Sequence, residues 1–192
     1  AIAIIGSIVL VQIVGFDEGQ IAKEEVKAMD EVAATTLDGT KEIKSPLSGK
    51  VIALSKIDDP VFAGGAMGNG IAIQPSDNKV YAPFDGTVEF VADSKHAVGI
   101  KSDDGVELLI HVGMDTVQIN GKGFDVKVNA NDKVKAGDLL LEFDREAIEK
   151  AGYSLITPVV ITNSFEFEQK QLCLDEDISY GKSIINLSVV NA

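Results

Sequence analysis

Residues Lys95–Thr116 read KHAVGIKSDDGVELLIHVGMDT. Two largely apolar runs flank the Asp103-Asp104-Gly105 turn. Asp-Gly readily supplies the positive φ of a tight connection, so the segment predicts a β-hairpin with arms Gly99–Ser102 and Val106–Val112. Alternation along the second arm puts Val106, Leu108 and Ile110 on one face and Glu107, Leu109 and His111 on the other. His111 thus ends its strand on a mixed, partly apolar surface, followed by Gly113, where backbone can approach a ligand closely. His96 precedes the first arm, and folding about Asp104-Gly105 carries the two histidines toward each other. Nine residues separate His96 from Gly105 and six separate Gly105 from His111, so direct contact requires a bulge or loop.

Working outward, the same texture recurs. Ile43–Leu47 leads to Ser48-Gly49, and Lys50–Leu54 and Gly70–Gln74 read as strands. Lys79–Pro83 ends at the Asp85-Gly86 turn, after which Thr87–Val91 resumes. Glu146–Ala151 is the one convincing short helix, ending near Gly152. Many short strands at close spacing predict an all-β fold, an antiparallel sandwich or barrel with little helix. Five prolines, 18 glycines, eight Phe, three Tyr and no Trp in 192 residues suit that class better than a helix bundle.

Two upstream sections differ in character. Residues 1–16, AIAIIGSIVLVQIVGF, carry only Ser7 and Gln12 as polar residues. The run falls short of the roughly 20 apolar residues of a spanning helix and lacks the basic start of a signal peptide. It is read as the end of a longer transmembrane helix, with a buried element of the domain as the alternative. Residues 17–40, DEGQIAKEEVKAMDEVAATTLDGT, are polar and acidic, with weak helical periodicity from Ile21, Val26 and Met29. They read as a linker. The domain then occupies residues 41–192.

The formal net charge is −13. Such a chain repels phosphate backbones, which argues against nucleic-acid binding and suits a partner with a basic face. A single cysteine, Cys173, can neither staple the domain nor build a Cys-rich zinc site, and among apolar neighbours it reads as a buried thiol.

Only two histidines exist, His96 and His111. At close range one can act as nucleophile while the other stabilises an oxyanion. The pair can also bind a metal, or the two can be unrelated surface groups. Phosphoryl chemistry would need a neutral, exposed acceptor nitrogen with donors for the phosphoryl oxygens. His96, the Ser94 hydroxyl and the amides around Gly113 qualify. Asp115 either faces a partner's arginine or caps the turn at Thr116. Val61, Phe62 and Met67, set among Gly64, Gly65 and Gly68, form either an adaptable docking patch or ordinary core.

From about Ile43 to Leu187 the chain resembles the glucose-type IIA family of the sugar phosphotransferase system. The stretches that carry the resemblance are SPLSGKVIALSKIDDPVFAGGAMGNGIAI, VYAPFDGTVEFV, KHAVGIKSDDGVELLIHVGMDTVQINGKGF, VKAGDLLLEFD and TPVVITNS, in the family's order and spacing. The resemblance implies a sandwich of the duplicated hybrid motif type and a phosphohistidine at His111, attacking through Nε2. It implies His96 as the supporting histidine and Ser94 as a hydroxyl bonded to a histidine. Asp59 and Asp115 become an acidic pair that meets the donor's arginine, and Phe62 part of an apolar rim. The implied donor is the small phosphocarrier HPr, and the implied acceptor is a cysteine on a IIB domain, for which no motif exists here. No cofactor is implied, and zinc only where a partner's carboxylate shares it. Residues 1–40 further suggest fusion behind a membrane IIC domain, which would make this a cytoplasmic domain tethered to a bacterial membrane.

Two other barrels share parts of the pattern. A biotinyl or lipoyl carrier needs a lysine at its hairpin tip, where this chain has Ser102-Asp-Asp-Gly. A zinc peptidase needs a third ligand beyond two histidines, and only Asp115 is at hand. A purely regulatory role, binding and inhibiting other proteins, is a third alternative.

Overall fold

The computed structural model describes residues 40–189. The segments read as membrane helix and linker lie outside the described residues, apart from Thr40. Thr40 opens the first strand, one residue inside the segment read as linker.

Among the described residues, fourteen strands form three antiparallel sheets. The largest has the order β13(Asp177–Ile178), β2(Gly49–Ala53), β3(Asn69–Pro75), β11(Thr157–Ile161), β7(Glu107–His111), β6(Ala97–Ser102), β5(Gly86–Val91), β9(Lys133–Val134). A three-stranded sheet joins β1(Thr40–Lys44), β14(Ser183–Val189) and β12(Phe167–Gln171). Another joins β4(Lys79–Tyr81), β10(Leu139–Phe143) and β8(Phe124–Val126). The expected all-β class and the short helix, observed at Arg145–Lys150, are both present.

The large sheet is apolar on both faces. Its inner face, with Val51, Ile71, Ile73, Ile100, Leu108, Ile110, Val159 and Ile161, packs on Ile43, Leu140, Leu141, Ile148, Ile184 and Leu187. Its outer face carries a smaller cluster of Ala72, Ala97, Leu109 and Val160, covered by Leu54, Ile57 and Phe62. The division of Leu108 and Ile110 from Leu109 follows the alternation read along the hairpin arm. The hairpin closes as expected: Gly105 N–H donates to Ser102 C=O at 3.0 Å, with Gly105 at φ 91°. Ala97 pairs with His111 and Lys101 with Glu107.

The outer cluster owes its cover to a single-turn helix, Pro60–Ala63. Pro60 fits the first helical position, where no intrahelical N–H is needed. Asp59 caps the turn, accepting from Val61 N–H at 2.8 Å and Phe62 N–H at 3.0 Å. The cap turns Phe62 down onto the sheet (7% exposed) while Val61 and Met67 remain 47% and 40% exposed. The Val61/Phe62/Met67 patch is therefore split, with Phe62 in the cluster and the other two at the surface.

Lys41, on β1, ties the chain entry to the hairpin tip. Its ammonium pairs with the Asp104 carboxylate and lies 5.0 Å from the centre of the Phe84 ring.

Candidate functional site

The two histidines meet on the outer face of the large sheet. Their ring centres lie 4.5 Å apart at an interplanar angle of 80°. The contact depends on the turn before β6. Lys95 N–H donates to Ala92 C=O at 2.7 Å, and Lys95 itself has φ 59°. This left-handed turn supplies the irregularity that the residue count demanded. Beyond it His96 C=O accepts from Val112 N–H at 2.8 Å, so His96 is held across from the residue after His111.

Each ring has one nitrogen engaged. His111 Nδ1 lies 2.8 Å from the Gly113 carbonyl oxygen, which can only accept. The proton therefore sits on Nδ1, and Nε2 keeps its lone pair. His96 Nδ1 lies 2.7 Å from the Ser94 hydroxyl. A hydroxyl donating to that nitrogen leaves His96 with its proton on Nε2.

Phe62 closes another side, its ring centre 5.1 Å from that of His111 at 61°. This aromatic wall removes water from the imidazole. Burial holds the His111 pKa below its ordinary value of 6.5, although the Gly113 hydrogen bond and the charges of Asp59 and Asp115 oppose the shift. His96 is only 7% exposed. Burial, reinforced by the nearby His111, pushes its pKa down to about 4. Both rings are thus neutral near pH 7, the state in which an imidazole can act as a nucleophile or as a neutral hydrogen-bond donor.

Asp115 is exposed in the left-handed region at φ 58°, ahead of the 3-10 turn Thr116–Ile119, and makes no side-chain capping hydrogen bond. The alternative that it caps the turn is therefore set aside, because the buried Thr116 orders that turn from within. Cys173 is half-buried rather than buried, with its sulfur 3.6 Å from the Ser183 carbonyl. Among the described residues no three His, Cys, Asp or Glu side chains converge on a common point as a metal would need.

Sequence reading missed several neighbours. Leu54, Ile57 and Val160 build the apolar bed under Phe62 together with Leu109, which the hairpin alternation already set on the His111 face, and Met114 and Ile156 lie at its edge. Phe90 lies across Gly99, where a Cβ would collide with its ring, and is 45% exposed. Val117 is 47% exposed on the turn after Asp115. The distances from β11 and from the 54–57 segment in sequence hid the first group. Phe90 and Val117 carry no local signal beyond an apolar side chain.

Residues 41–167 match the family described as phosphoenolpyruvate-dependent sugar phosphotransferase system, EIIA 1. The beta-glucoside-specific EIIBCA component of Halalkalibacterium halodurans is 41% identical over 177 residues, covering 91% of this chain and 27% of that protein. The mannose-specific EIIBCA component of Corynebacterium glutamicum is 53% identical over 126 residues, covering 66% of this chain and 18% of that protein. This chain thus spans about a quarter or less of these fused relatives. The glucose-specific EIIA component of Staphylococcus epidermidis is 45% identical over 135 residues, covering 70% of this chain and 81% of that protein. Among solved structures, the glucose permease IIA from Mycoplasma capricolum superposes with a TM-score of 0.72 at 31% identity, covering 77% of this chain and 95% of that one. With its antiparallel sheets, its outward histidine pair and a match over most of its length, this chain belongs to the EIIA 1 family of the phosphoenolpyruvate-dependent sugar phosphotransferase system.

Proposed function

We propose that residues 41–192 form a phosphoryl carrier that takes a phosphoryl group from phospho-HPr onto His111 and passes it to a cysteine of a IIB domain. The observation that carries this reading is the His111 Nδ1 bond to the Gly113 carbonyl, beside His96 at 4.5 Å. It leaves Nε2 unprotonated and pointed away from its anchor. In the transfer, the Nε2–P bond forms as the N–P bond to the donor histidine breaks, and that histidine leaves with the electron pair. Positioning and charge stabilisation supply most of the acceleration in such steps.

His96 serves the transferred group. With Ser94 donating to its Nδ1, the Nε2–H of His96 donates to a phosphoryl oxygen. Asp59 and Asp115 form the acidic pair that receives the donor's arginine. Phe62, with the exposed Val61 and Met67 on the same segment, contributes to an apolar docking rim. No cofactor is needed for this step. Zinc fits only if a partner adds a carboxylate to the two imidazoles.

We further propose that residues 1–16 are the end of a transmembrane helix and residues 17–40 a linker, with a IIC domain in the same polypeptide. The domain would then be cytoplasmic and tethered. The Halalkalibacterium relative supports this, because a match over 91% of this chain must take in part of the segment before Thr40.

The test is phosphorylation by enzyme I, HPr and phosphoenolpyruvate, followed by intact mass. A single acid-labile, base-stable phosphate is expected, and His111→Gln abolishes it. His96→Gln still accepts from HPr but donates poorly to IIB. Equal loss at both steps in both variants would overturn the assigned roles.

A further inference from the structure

The nitrogen that His111 offers is decided by one peptide unit, and that unit is held from behind. The Gly113–Met114 peptide presents its C=O to His111 Nδ1 at 2.8 Å and its N–H to the Ser154 carbonyl at 3.0 Å. Ser154 precedes β11, the strand that pairs with β7. The imidazole is therefore oriented through a short relay that ends on the neighbouring strand.

The next peptide back is pinned as well. Thr116 is fully buried, and its hydroxyl donates to the Val112 carbonyl at 2.6 Å. Its methyl group lies against Gly113: a Cβ at residue 113 would stand 2.5 Å from Thr116 Cγ2 and 2.7 Å from the Ser154 oxygen. Gly113 has φ 77°, a conformation that side chains rarely adopt. No other side-chain hydrogen bond to this loop's backbone is made between Val112 and Asp115 among the described residues, apart from that of His111 itself.

We infer that Thr116 is the positioning residue of the carrier: its hydroxyl locks the Val112–Met114 backbone so that Gly113 C=O holds the proton on His111 Nδ1 and keeps Nε2 as the acceptor. Without the hydroxyl, the Val112–Gly113 peptide can rotate and the Gly113 carbonyl can swing away from the ring. Nδ1 then loses its acceptor, the Nε2–H tautomer gains population, and molecules in that tautomer cannot attack. The consequence rests on the phosphoryl-carrier reading, but the tautomer does not.

The experiment is nitrogen-15 and proton NMR of the imidazoles in the unphosphorylated 192-residue chain, with phosphoryl acceptance from phospho-HPr as a separate arm. In the unsubstituted chain His111 Nδ1 should be protonated, with a slowly exchanging Hδ1, and Nε2 unprotonated. Thr116→Val is nearly isosteric and should shift both His111 nitrogens toward the other tautomer. It should also slow acceptance by roughly 3- to 10-fold, the weight of one net hydrogen bond. Thr116→Ser keeps the hydroxyl and should keep the native tautomer. Three results would overturn the inference: Hε2 rather than Hδ1 in the unsubstituted chain, native nitrogen shifts in a folded Thr116→Val, or the same shift in Thr116→Ser as in Thr116→Val. If Thr116→Val fails to fold, Thr116→Ala takes its place as the variant without a hydroxyl, with the same expected shift and with native nitrogen shifts as the result that overturns the inference. If no variant or parent accepts phosphate while the tautomers behave as expected, the carrier reading fails and the positioning role stands.

Discussion

Two imidazoles with ring centres 4.5 Å apart repel each other once both are charged, and with His96 buried and His111 half-buried little water is left to relieve it. The proton that the unfolded chain takes up near pH 6.5 is thus refused by folded His96 until about pH 4. Both groups are bases whose folded pKa is depressed, so the unfolded state binds more protons in the window between those values. Stability is at its full value above about 6.5, falls as pH drops through the window, and the loss is complete below the folded value. The urea midpoint should therefore decline between about neutral pH and pH 4.5, ahead of most carboxylate titration, and His96→Gln should flatten the decline. A midpoint that is level across that range in the parent chain would refute the pKa assignments. The same burial holds the His111 pKa below 6.5, so at pH 6.5 more than half of the acceptance seen at neutral pH should remain.

The single-turn helix Pro60–Ala63 links the acidic rim to the aromatic wall, because Asp59 belongs to both. Its carboxylate caps Val61 and Phe62 and its charge acts on His111. The two duties separate by substitution, since asparagine caps about as well as aspartate while alanine does not. Asp59→Asn should leave stability within about 0.5 kcal/mol, whereas Asp59→Ala should cost about 1 kcal/mol and loosen Phe62 from His111. Urea denaturation of both variants checks this, and equal destabilisation would mean that charge rather than capping holds the turn. This helix also marks the limit of sequence reading. Asp59-Pro60 is a readable start signal, but one turn is too short for any periodicity. The β6–β7 hairpin was legible because its turn residues and alternation are local. Strand β11, TPVVI, is buried at every position and shows no alternation, so only its place between β3 and β7 reveals it. The histidine pair was permitted by spacing, yet its contact depends on Lys95 in a left-handed conformation that nothing in a lysine announces. Thr116 was visible only as a turn residue, since its bond to the Val112 carbonyl exists only once Gly113 and Asp115 take their left-handed conformations.

At the scale of the molecule, a net charge of −13 sets a field that any basic partner feels before contact. For the proposed donor, two sources of steering compete: the overall charge, or the Asp59/Asp115 pair at the site. Distance separates them. Asp103 stands at the hairpin's far tip, paired with Lys133 at 3.5 Å and well exposed. Six strand residues from Gly105 to His111 at about 3.3 Å each place it roughly 20 Å from the acceptor, about two Debye lengths at about 0.1 M salt. Neutralising either Asp103 or Asp115 changes net charge equally. If the pair steers the donor, Asp115→Asn should lower the association rate with phospho-HPr by roughly 3- to 10-fold at about 0.1 M salt, and Asp103→Asn by less than about twofold. Near 1 M salt, where the screening length shrinks to about 3 Å, the two variants and the parent should converge. Stopped-flow transfer across a salt series measures all three. Equal slowing by the two substitutions would assign steering to the whole acidic surface and leave Asp115 without a special part in it. A deficit in Asp115→Asn that survives high salt would mean instead that its carboxylate makes a short-range contact with the donor, formed after encounter and not before it.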